Sequence, residues 1–338
     1  MILDSDRLPS SSALKIQKAG PQSILVDQGR TGYQHIGITN GGAMDEHAFH
    51  WSNKILGNCF GASALEIALG GFECEFQSTN VIAITGADTT AQLNNQHIPN
   101  WSAVDVKQGD ILKLPPPRSG VYIYLAIQHG FNEPLVLGSQ SIVTRERIGP
   151  HEGRKFNEGD FLHRTSHSTD SRGALAAYPS SSAGIKYRGV ARRFIPDHNL
   201  PLNLHLHPGY QYENFNHDFL SELFTTQYRV LATSNRMAIK LQKMDFDASR
   251  PMSEPTSQKN LLSEGIAFGS VQIPPDGNPI VLMKDRQTIG GYPKLGTIAS
   301  LDCYALSQRR GANIIQFKLG DIAFSRKQLT NFKQFFNS

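Results

Sequence analysis

The chain has no hydrophobic run long enough to cross a membrane as a helix. Its longest strongly apolar stretch, Val121 to Ile127, has the length of a single buried strand. The first residues, MILDSDRLPSSS, contain no apolar segment of the kind that a secretory signal requires. We therefore expect a cytoplasmic protein that does not associate with membranes.

Cysteine is scarce, with Cys59, Cys74 and Cys303 as the only three among 338 residues. An odd number at wide spacing argues against a disulfide framework or a zinc site and indicates free thiols in a reducing compartment. The histidines lack metal-ligand spacing, except that His205 and His207 alternate on one predicted strand. No third ligand lies near this pair in the sequence, so we predict no metal site.

Charge of either sign is modest, because the formal net charge is +4 and the lysines and arginines form no block. Nucleic-acid binding is therefore not indicated. Hydrophobic residues make up 39% and charged residues 18% of the chain, as is typical of a globular protein. The sequence also lacks a phosphate-binding loop of the form GxxxxGK(S/T) and a GxSxG nucleophile elbow, which disfavours the corresponding nucleotide-binding and hydrolase classes.

The length of 338 residues exceeds what one hydrophobic core usually holds and favours two domains. Residues 165–184 are rich in serine and lack a sustained apolar period, so they predict a linker or a long exposed loop. The resulting prediction is a disordered lead over residues 1–13, a first domain over 14–164 and a second domain over 185–338.

Short apolar segments separated by polar breaks dominate both predicted domains. Glycine–aspartate turns precede such segments at 109–110, 159–160 and 320–321, a pattern typical of barrels or sandwiches. Residues 66–88 and 264–285 share the order acid, glycine, strand, turn, strand, acid, which favours two similar domains, although chance likeness between two meanders stays open. The sequence therefore predicts a mainly β protein with a few short helices.

The stretch from Glu264 to Pro293 carries the strongest local signals. Apolar residues at strand spacing flank the turn Pro274–Gly277, where proline fixes φ and Asp-Gly can enter the positive-φ region. The residues DRQT at 285–288 then supply a carboxylate, a guanidinium, an amide and a hydroxyl, and Gly290–Gly291 permits close approach to the backbone. This order predicts a hairpin that displays a site, with an ordinary solvated hairpin as the alternative.

Polar groups on glycine-rich loops make up the candidate site, because guanidinium groups bind carboxylates through paired hydrogen bonds and glycine N–H groups can stabilise an oxyanion. The predicted catalytic residues are Asp285, Arg286, Gln287 and Asp88. The predicted substrate-binding residues are Asp27, Arg30, Tyr33, His35, Arg118, Gly290, Gly291, Tyr292 and Lys294. Loop-fixing salt bridges, Asp27–Arg30 and Asp285–Arg286, are an equally weighted alternative.

The same segments carry a family resemblance, running collinearly from about Leu14 to Asp321. The motifs are DQGRTGYQHIGITNGGAMD, ILGNCFGASALEIALGG, ITGAD, PRSGVYIYLAI, LGSQS and SEGIAFGSVQIPPDGNPIVLMKDRQTIGGYPK. They resemble the allophanate hydrolase subunit 2 family, also called the KipA-type or biotin-dependent carboxyltransferase-like family. The resemblance implies two cyclophilin-like β-barrel domains.

The resemblance also implies a function and partners. Stand-alone bacterial members are similar to the C subunit of an ATP-dependent 5-oxoprolinase, which acts with a subunit-1 (KipI-type) partner and a further subunit. ATP is then expected, bound either by this chain or by a partner subunit. The chemistry of the residues, apart from the resemblance, suggests individual roles. Arg30 or Arg286 would hold a carboxylate, Gln287 and glycine N–H groups would polarise the amide oxygen of a small substrate, and Asp88 or Asp285 would orient them.

Two alternatives stay open. Fused family members imply a carboxyltransferase that moves CO2 from carboxybiotin to urea or another amide, with biotin carried by a separate protein and none attached to this chain. A regulator that binds the KipI-type partner without catalysis is the other. The sequence departs from the family pattern at Asn40, His129, Asn235, Ala238 and Lys284, where serine, glycine, aspartate, glycine and alanine are usual.

Overall fold

The computed structural model describes residues 10–165, 188–244, 255 and 262–337. The chain divides into two compact units. The first consists of Met1–Gly29 and Ala48–Pro196, and the second of Arg30–His47 and Asp197–Ser338. The predicted first domain, 14–164, thus includes residues 30–47, which the structure groups with the second unit. The domain limits themselves stay a prediction.

The first unit is built from strands that form two six-stranded sheets among the described residues. One sheet has the order β11-β1-β4-β9-β6-β7 and the other the order β12-β8-β5-β10-β3-β2. The strands are β1 (Ser10–Ala19), β2 (Gln22–Val26), β3 (Ala64–Ala68), β4 (Phe72–Phe76), β5 (Asn80–Asp88), β6 (Gln92–Leu93), β7 (Gln96–His97), β8 (Ser102–Val106), β9 (Ile111–Leu114), β10 (Ser119–Ile127), β11 (Phe161–Thr165) and β12 (Arg188–Gly189).

Alternating burial explains how these strands pack. In β4, Phe72, Cys74 and Phe76 are buried while the two glutamates between them are partly exposed, as expected of a strand with one face on a core.

Helix α1 (Glu46–Leu56) ends before Gly57, whose φ of +68° suits the residue that follows a helix. Helix α1 therefore ends at a glycine that adopts the left-handed conformation without strain.

The second unit contains a closed barrel with the strand order β13-β20-β17-β18-β15-β14-β21 and a separate two-stranded ribbon, β16-β19. The strands are β13 (Leu202–Pro208), β14 (Gln227–Val230), β15 (Ala238–Lys243), β16 (Glu264–Gly265), β17 (Ser270–Gln272), β18 (Ile280–Leu282), β19 (Ile289–Gly290), β20 (Lys294–Ile298) and β21 (Ile315–Leu319). The helices are α2 (His217–Thr225), α3 (Ser300–Ser307) and α4 (Ile322–Asn337).

The prediction of a mainly β protein with a few short helices is confirmed, and the second unit supplies a barrel. In the first unit the described strands form two sheets instead of one closed ring. Strand β1 begins at Ser10 and pairs with β11, so residues 10–13 lie in a strand where a disordered lead was predicted. Residues 1–9 and 166–184 of the predicted lead and linker lie outside the described residues. Within the described part, no helix is long and apolar enough to span a bilayer.

The three cysteines are free, as predicted, but their reactivity should differ. Cys59 is exposed, whereas Cys74 and Cys303 are buried, and burial raises the pKa of both buried thiols. Since the thiolate is the reactive form, iodoacetamide should label Cys59 alone in the folded protein and all three in denaturant. Mass spectrometry of the alkylated peptides measures this, and labelling of Cys74 or Cys303 at the rate of Cys59 would contradict the packing described.

Candidate functional site

The barrel of the second unit positions the candidate site through the hairpin of β17 and β18. Val271 pairs with Val281 across the two strands. The connecting turn closes with a hydrogen bond from Gly277 N to Pro274 O of 2.9 Å, and Gly277 has a φ of +76°. The predicted hairpin is thus confirmed, and its second strand leads directly into the polar segment that begins at Lys284.

Asp285 is fixed inside the second unit by Arg236. The Arg236 Nε and Nη2 atoms donate to the two Asp285 carboxylate oxygens, each over 2.8 Å, and both side chains are almost fully buried. The Asp285 backbone N–H also donates to Arg236 O over 2.9 Å. A paired guanidinium–carboxylate bond of this kind has defined geometry. Asp285 is thus held in a salt bridge, but its partner is Arg236 and not Arg286, so the pairing given as the alternative is corrected.

Arg286 is likewise buried, with 4% of its surface exposed. Its guanidinium donates to Ile266 O over 3.3 Å, to Met283 O over 3.2 Å and to Asn40 Oδ1 over 3.2 Å. Burial lowers the pKa of Arg286 to about 10. These contacts favour a supporting role for Asp285 and Arg286 over the predicted catalytic one.

Lys284 and Tyr304 are buried and form a cluster with the partly exposed Glu46 and Phe268. Its ammonium forms an ion pair with Glu46 Oε1 and lies 4.5 Å from the centre of the Phe268 ring. The Tyr304 hydroxyl donates to Glu46 Oε2 over 2.6 Å, and burial raises the Tyr304 pKa well above its usual value. Every side chain from Lys284 to Arg286 is thus held in place, which fixes the start of the loop that continues to Gln287.

An open cleft of about 300 Å³ lies beyond this fixed segment. Its lining residues are Gln272, Gln287, Gly290, Gly291 and Tyr292. Four of these five were predicted as site residues, and the structure brings them together. Gln272 was missed. In the sequence, the only indication is that a polar amide ends a short apolar segment. In the structure, all three residues of β17 are buried.

Two side-chain amides converge beside Gly290. A Cβ atom built on Gly290 would lie 2.8 Å from Gln272 Nε2 and 3.6 Å from Gln287 Nε2. Carboxamide nitrogens carry two donor hydrogens each, and such donors stabilise developing negative charge on an oxygen when they are held in advance. The cleft can therefore bind a carbonyl oxygen between two neutral donors.

Replacing Gly290 with alanine should impair this arrangement. The added methyl group would lie 2.4 Å from Ile266 Cδ1 and 2.8 Å from Gln272 Nε2, so the side chains must move apart. We expect weaker binding of an amide ligand with only a small change in stability, of about 1 kcal/mol. Calorimetric titration and denaturant unfolding measure the two effects. Gly265→Ala is the control, because no atom lies within 4 Å of its built Cβ.

Three predicted residues belong to the first unit. The Asp27 carboxylate accepts hydrogen bonds from Ser139 Oγ, Ser141 Oγ and Gln140 N, each over 2.6 Å, and from Gly29 N over 2.8 Å. A carboxylate with four donors is a loop-fixing group. Asp88 ends β5 and is exposed, and the backbone N–H of Arg118 donates to its carbonyl over 2.7 Å.

The other predicted residues belong to the second unit. Arg30 is buried, with backbone hydrogen bonds to Asn40, while Tyr33 and His35 lie in or beside a short 3₁₀ turn. None of these three lines the cleft. Lys294 lies next to the cleft, since it pairs with the lining residue Gln272 across β17 and β20. Its ammonium donates to Gly265 O over 2.8 Å and pairs with Glu264 Oε1 at 3.0 Å.

The two histidines singled out in the sequence have protein partners. His205 Nδ1 lies 2.9 Å from Asp302 Oδ2, and His207 Nε2 lies 2.9 Å from Ser325 Oγ. Across the described part of the chain, no group of three or more metal-ligating side chains is placed to hold an ion.

Comparison with known proteins assigns the chain to a family. The model of the carboxyltransferase domain, subdomain A and B, matches residues 36–319. The chain belongs to this carboxyltransferase family. It is 32% identical to the C subunit of 5-oxoprolinase from Haemophilus influenzae over 297 residues, covering 88% of both chains. It is 34% identical to the C subunit of 5-oxoprolinase from Escherichia coli over 295 residues, covering 87% of both.

A solved structure shares the fold of this carboxyltransferase family. The urea carboxylase of Kluyveromyces lactis superimposes with a TM-score of 0.82 at 23% identity, and the match covers 99% of this chain and 30% of that one.

The structure explains several departures from the family pattern. Asn235 Oδ1 accepts from the backbone N–H of Met237 over 2.8 Å, a turn-capping role that aspartate fills equally well. Arg236 is not affected, because its partner is Asp285. His129 stands at a φ of +69°, where the glycine usual in carboxyltransferase relatives meets no strain. Lys284 gains the partly buried partner Glu46. Nothing in the structure explains Ala238.

Proposed function

We propose that this protein is one component of an enzyme complex that hydrolyses 5-oxoproline to glutamate at the expense of ATP. It acts together with a subunit-1 (KipI-type) partner and a further subunit. The resemblance to two bacterial proteins named as the C subunit of 5-oxoprolinase, over 87–88% of each chain, supports the reaction class. The convergence of two glutamine amides beside Gly290 is the observation within the molecule that carries the proposal.

The cleft chemistry suits a small amide. An amide oxygen accepts two hydrogen bonds, which Gln272 and Gln287 can donate from their Nε2 atoms. The glycines at 290 and 291 leave room for the flat face of a ring, and Tyr292 forms a further part of the lining. Gln272 Nε2 lies 3.5 Å from Tyr292 O, which holds its amide beside the cleft. Donors held at the site stabilise charge that develops on the oxygen during reaction more than they stabilise the neutral substrate.

The side chains that line the cleft do not favour ATP as its ligand. The five lining residues include no lysine or arginine, whereas triphosphates are bound by cationic side chains and by runs of backbone N–H groups. We therefore assign ATP to a partner subunit.

The deciding experiment is reconstitution. The purified protein is mixed with its cognate partner subunits, 5-oxoproline and ATP, and glutamate is measured with each component omitted in turn. Glutamate that requires every component, this chain included, supports the proposal. An equal rate without this chain would remove it from the reaction.

A second candidate is carboxyl transfer to an amide, which the family description itself favours. The same two amide donors suit the carbonyl oxygen of urea or of the ureido ring of biotin, which a separate carrier protein would deliver. Carboxylated product that forms only with a biotinylated carrier would select this reaction. Tight binding to the KipI-type partner without either activity would instead support a regulatory role without catalysis.

A further inference from the structure

We infer that Glu264 is the proton acceptor of the cleft and takes the N–H proton of the bound amide. The inference rests on the proposed function in one respect, namely that the substrate is an amide with an N–H group. No pattern in the sequence singles out this glutamate as a site residue. Three observations support the assignment. The side chain lies on the face of the amide donors, hydrogen bonds fix one carboxylate oxygen, and the second carboxylate oxygen has no partner among the described residues.

The pairing of β16 with β19 sets the direction of the Glu264 side chain. Glu264 and Gly290 are direct partners in this antiparallel ribbon, and the side chains of directly opposed residues point to the same face, with Cβ atoms about 5 Å apart. The face of Gly290 is the one on which Gln272 Nε2 and Gln287 Nε2 converge. The Glu264 side chain therefore leaves the ribbon on the same face as the two amide donors, next to the five residues that line the cleft.

The position of Ile266 supports this direction independently. Residues two apart in an extended segment point to the same side, so Glu264 and Ile266 should share a face. Ile266 Cδ1 lies 2.4 Å from the Cβ position built on Gly290. The side chains of Glu264 and Ile266 thus point to the side on which the amide donors lie.

One carboxylate oxygen of Glu264 is fixed and the other is open. Gln211 Nε2 donates to Oε1 over 2.6 Å, and Lys294 Nζ lies 3.0 Å from the same atom. Gln211 is itself held, because its Oε1 accepts from the backbone N–H of Lys294 over 2.6 Å. Glu264 Oε2 has no hydrogen-bond partner among the described residues, and 28% of the side chain is exposed. An anchored carboxylate with one open oxygen is suited to accept a proton.

The chemical step is a single proton transfer. The substrate N–H bond breaks, an O–H bond forms at Glu264 Oε2, and the electron pair left on nitrogen delocalises onto the amide oxygen. That oxygen then carries the negative charge that Gln272 and Gln287 stabilise. The activated amide reacts with an electrophile from the rest of the complex, a phosphoryl donor for hydrolysis or a carboxyl donor for carboxyl transfer. The base thus serves either candidate reaction.

The kinetic test uses the reconstituted complex with Glu264→Gln. The neutral amide keeps the size of the side chain but cannot take the proton, so kcat should fall by about 100-fold or more with little change in KM. Glu213→Gln is the matched control, because Glu213 is exposed on the same unit. Wild-type kcat in Glu264→Gln would overturn the inference.

A binding test separates this inference from the proposed function. The full chain alone is titrated with 2-pyrrolidinone and with its N-methyl form, which lacks the N–H group. The wild-type protein should prefer the N–H form by about tenfold, as expected for one charge-assisted hydrogen bond, and Glu264→Ala should lose that preference. If this pattern holds while the complex makes no glutamate, the proposed function fails and the role of Glu264 stands. Equal binding of both lactams by the wild-type protein would overturn the role of Glu264, whatever the complex does.

Discussion

Replacing Arg236 with methionine should destabilise the protein by about 3–5 kcal/mol, because Asp285 would remain as a buried charge without its directly bonded partner. Arg236 supplies both hydrogen bonds to that carboxylate, and it also donates to Gly42 O over 2.8 Å. Methionine keeps much of the buried side-chain volume, so the loss of charge pairing dominates the effect. Chemical denaturation followed by circular dichroism measures the change in the free energy of unfolding.

A second variant tests the cause of this destabilisation. In Arg236→Met/Asp285→Leu both charges are gone, and most of the lost stability should return, since a buried ion pair can be replaced by apolar groups at little cost. Arg229→Met on β14 is the matched control, because Arg229 is exposed and its guanidinium donates to the neutral side chain of Gln242. If the double variant is no more stable than Arg236→Met alone, the ion pair is not the source of the effect.

The hairpin could be predicted because its determinants are local. Proline and Asp-Gly at the turn from Pro274 to Gly277 restrict φ within four residues, and the flanking alternation sets the two strands. Gln287, Gly290, Gly291 and Tyr292 follow at once in the chain, so one local segment supplies four of the five residues that line the cleft. Short-range sequence reasoning is adequate for sites of this kind.

The partners of Asp285 and Lys284 could not be predicted, because they lie far away in the sequence. Arg236 is 49 positions from Asp285, and Glu46 is 238 positions from Lys284. The barrel brings the first pair together, and the grouping of residues 30–47 with the second unit brings together the second. A polar loop sequence implies that Asp285 and Arg286 are exposed. In the structure both side chains are buried and hold neighbouring segments in place. The position of Glu264 could not be predicted either, because it depends on the pairing of Glu264 with Gly290, 26 positions away in the sequence.

Replacing either Gln272 or Gln287 with methionine should lower kcat of the reconstituted complex by about 100- to 1,000-fold, as expected for the loss of one donor to a developing oxyanion. Methionine is similar in length to glutamine but donates no hydrogen bond, so the shape of the cleft is largely kept. If the two amides bind the same oxygen, the double variant should lose much less than the product of the two single effects, because residues that act as a unit are not additive.

The pattern across variants decides between this arrangement and independent roles for the two glutamines. Gln227→Met on β14 is the control, because Gln227 is an exposed glutamine of the same barrel, and it should retain the wild-type rate. Since Gln272 is buried while Gln287 is partly exposed, Gln272→Met should also change stability, and unfolding in denaturant measures that change separately from kcat. A single variant with wild-type kcat would remove that glutamine from the site. Fully multiplicative losses would instead mean that the two amides contact different parts of the substrate, with only one of them at the amide oxygen.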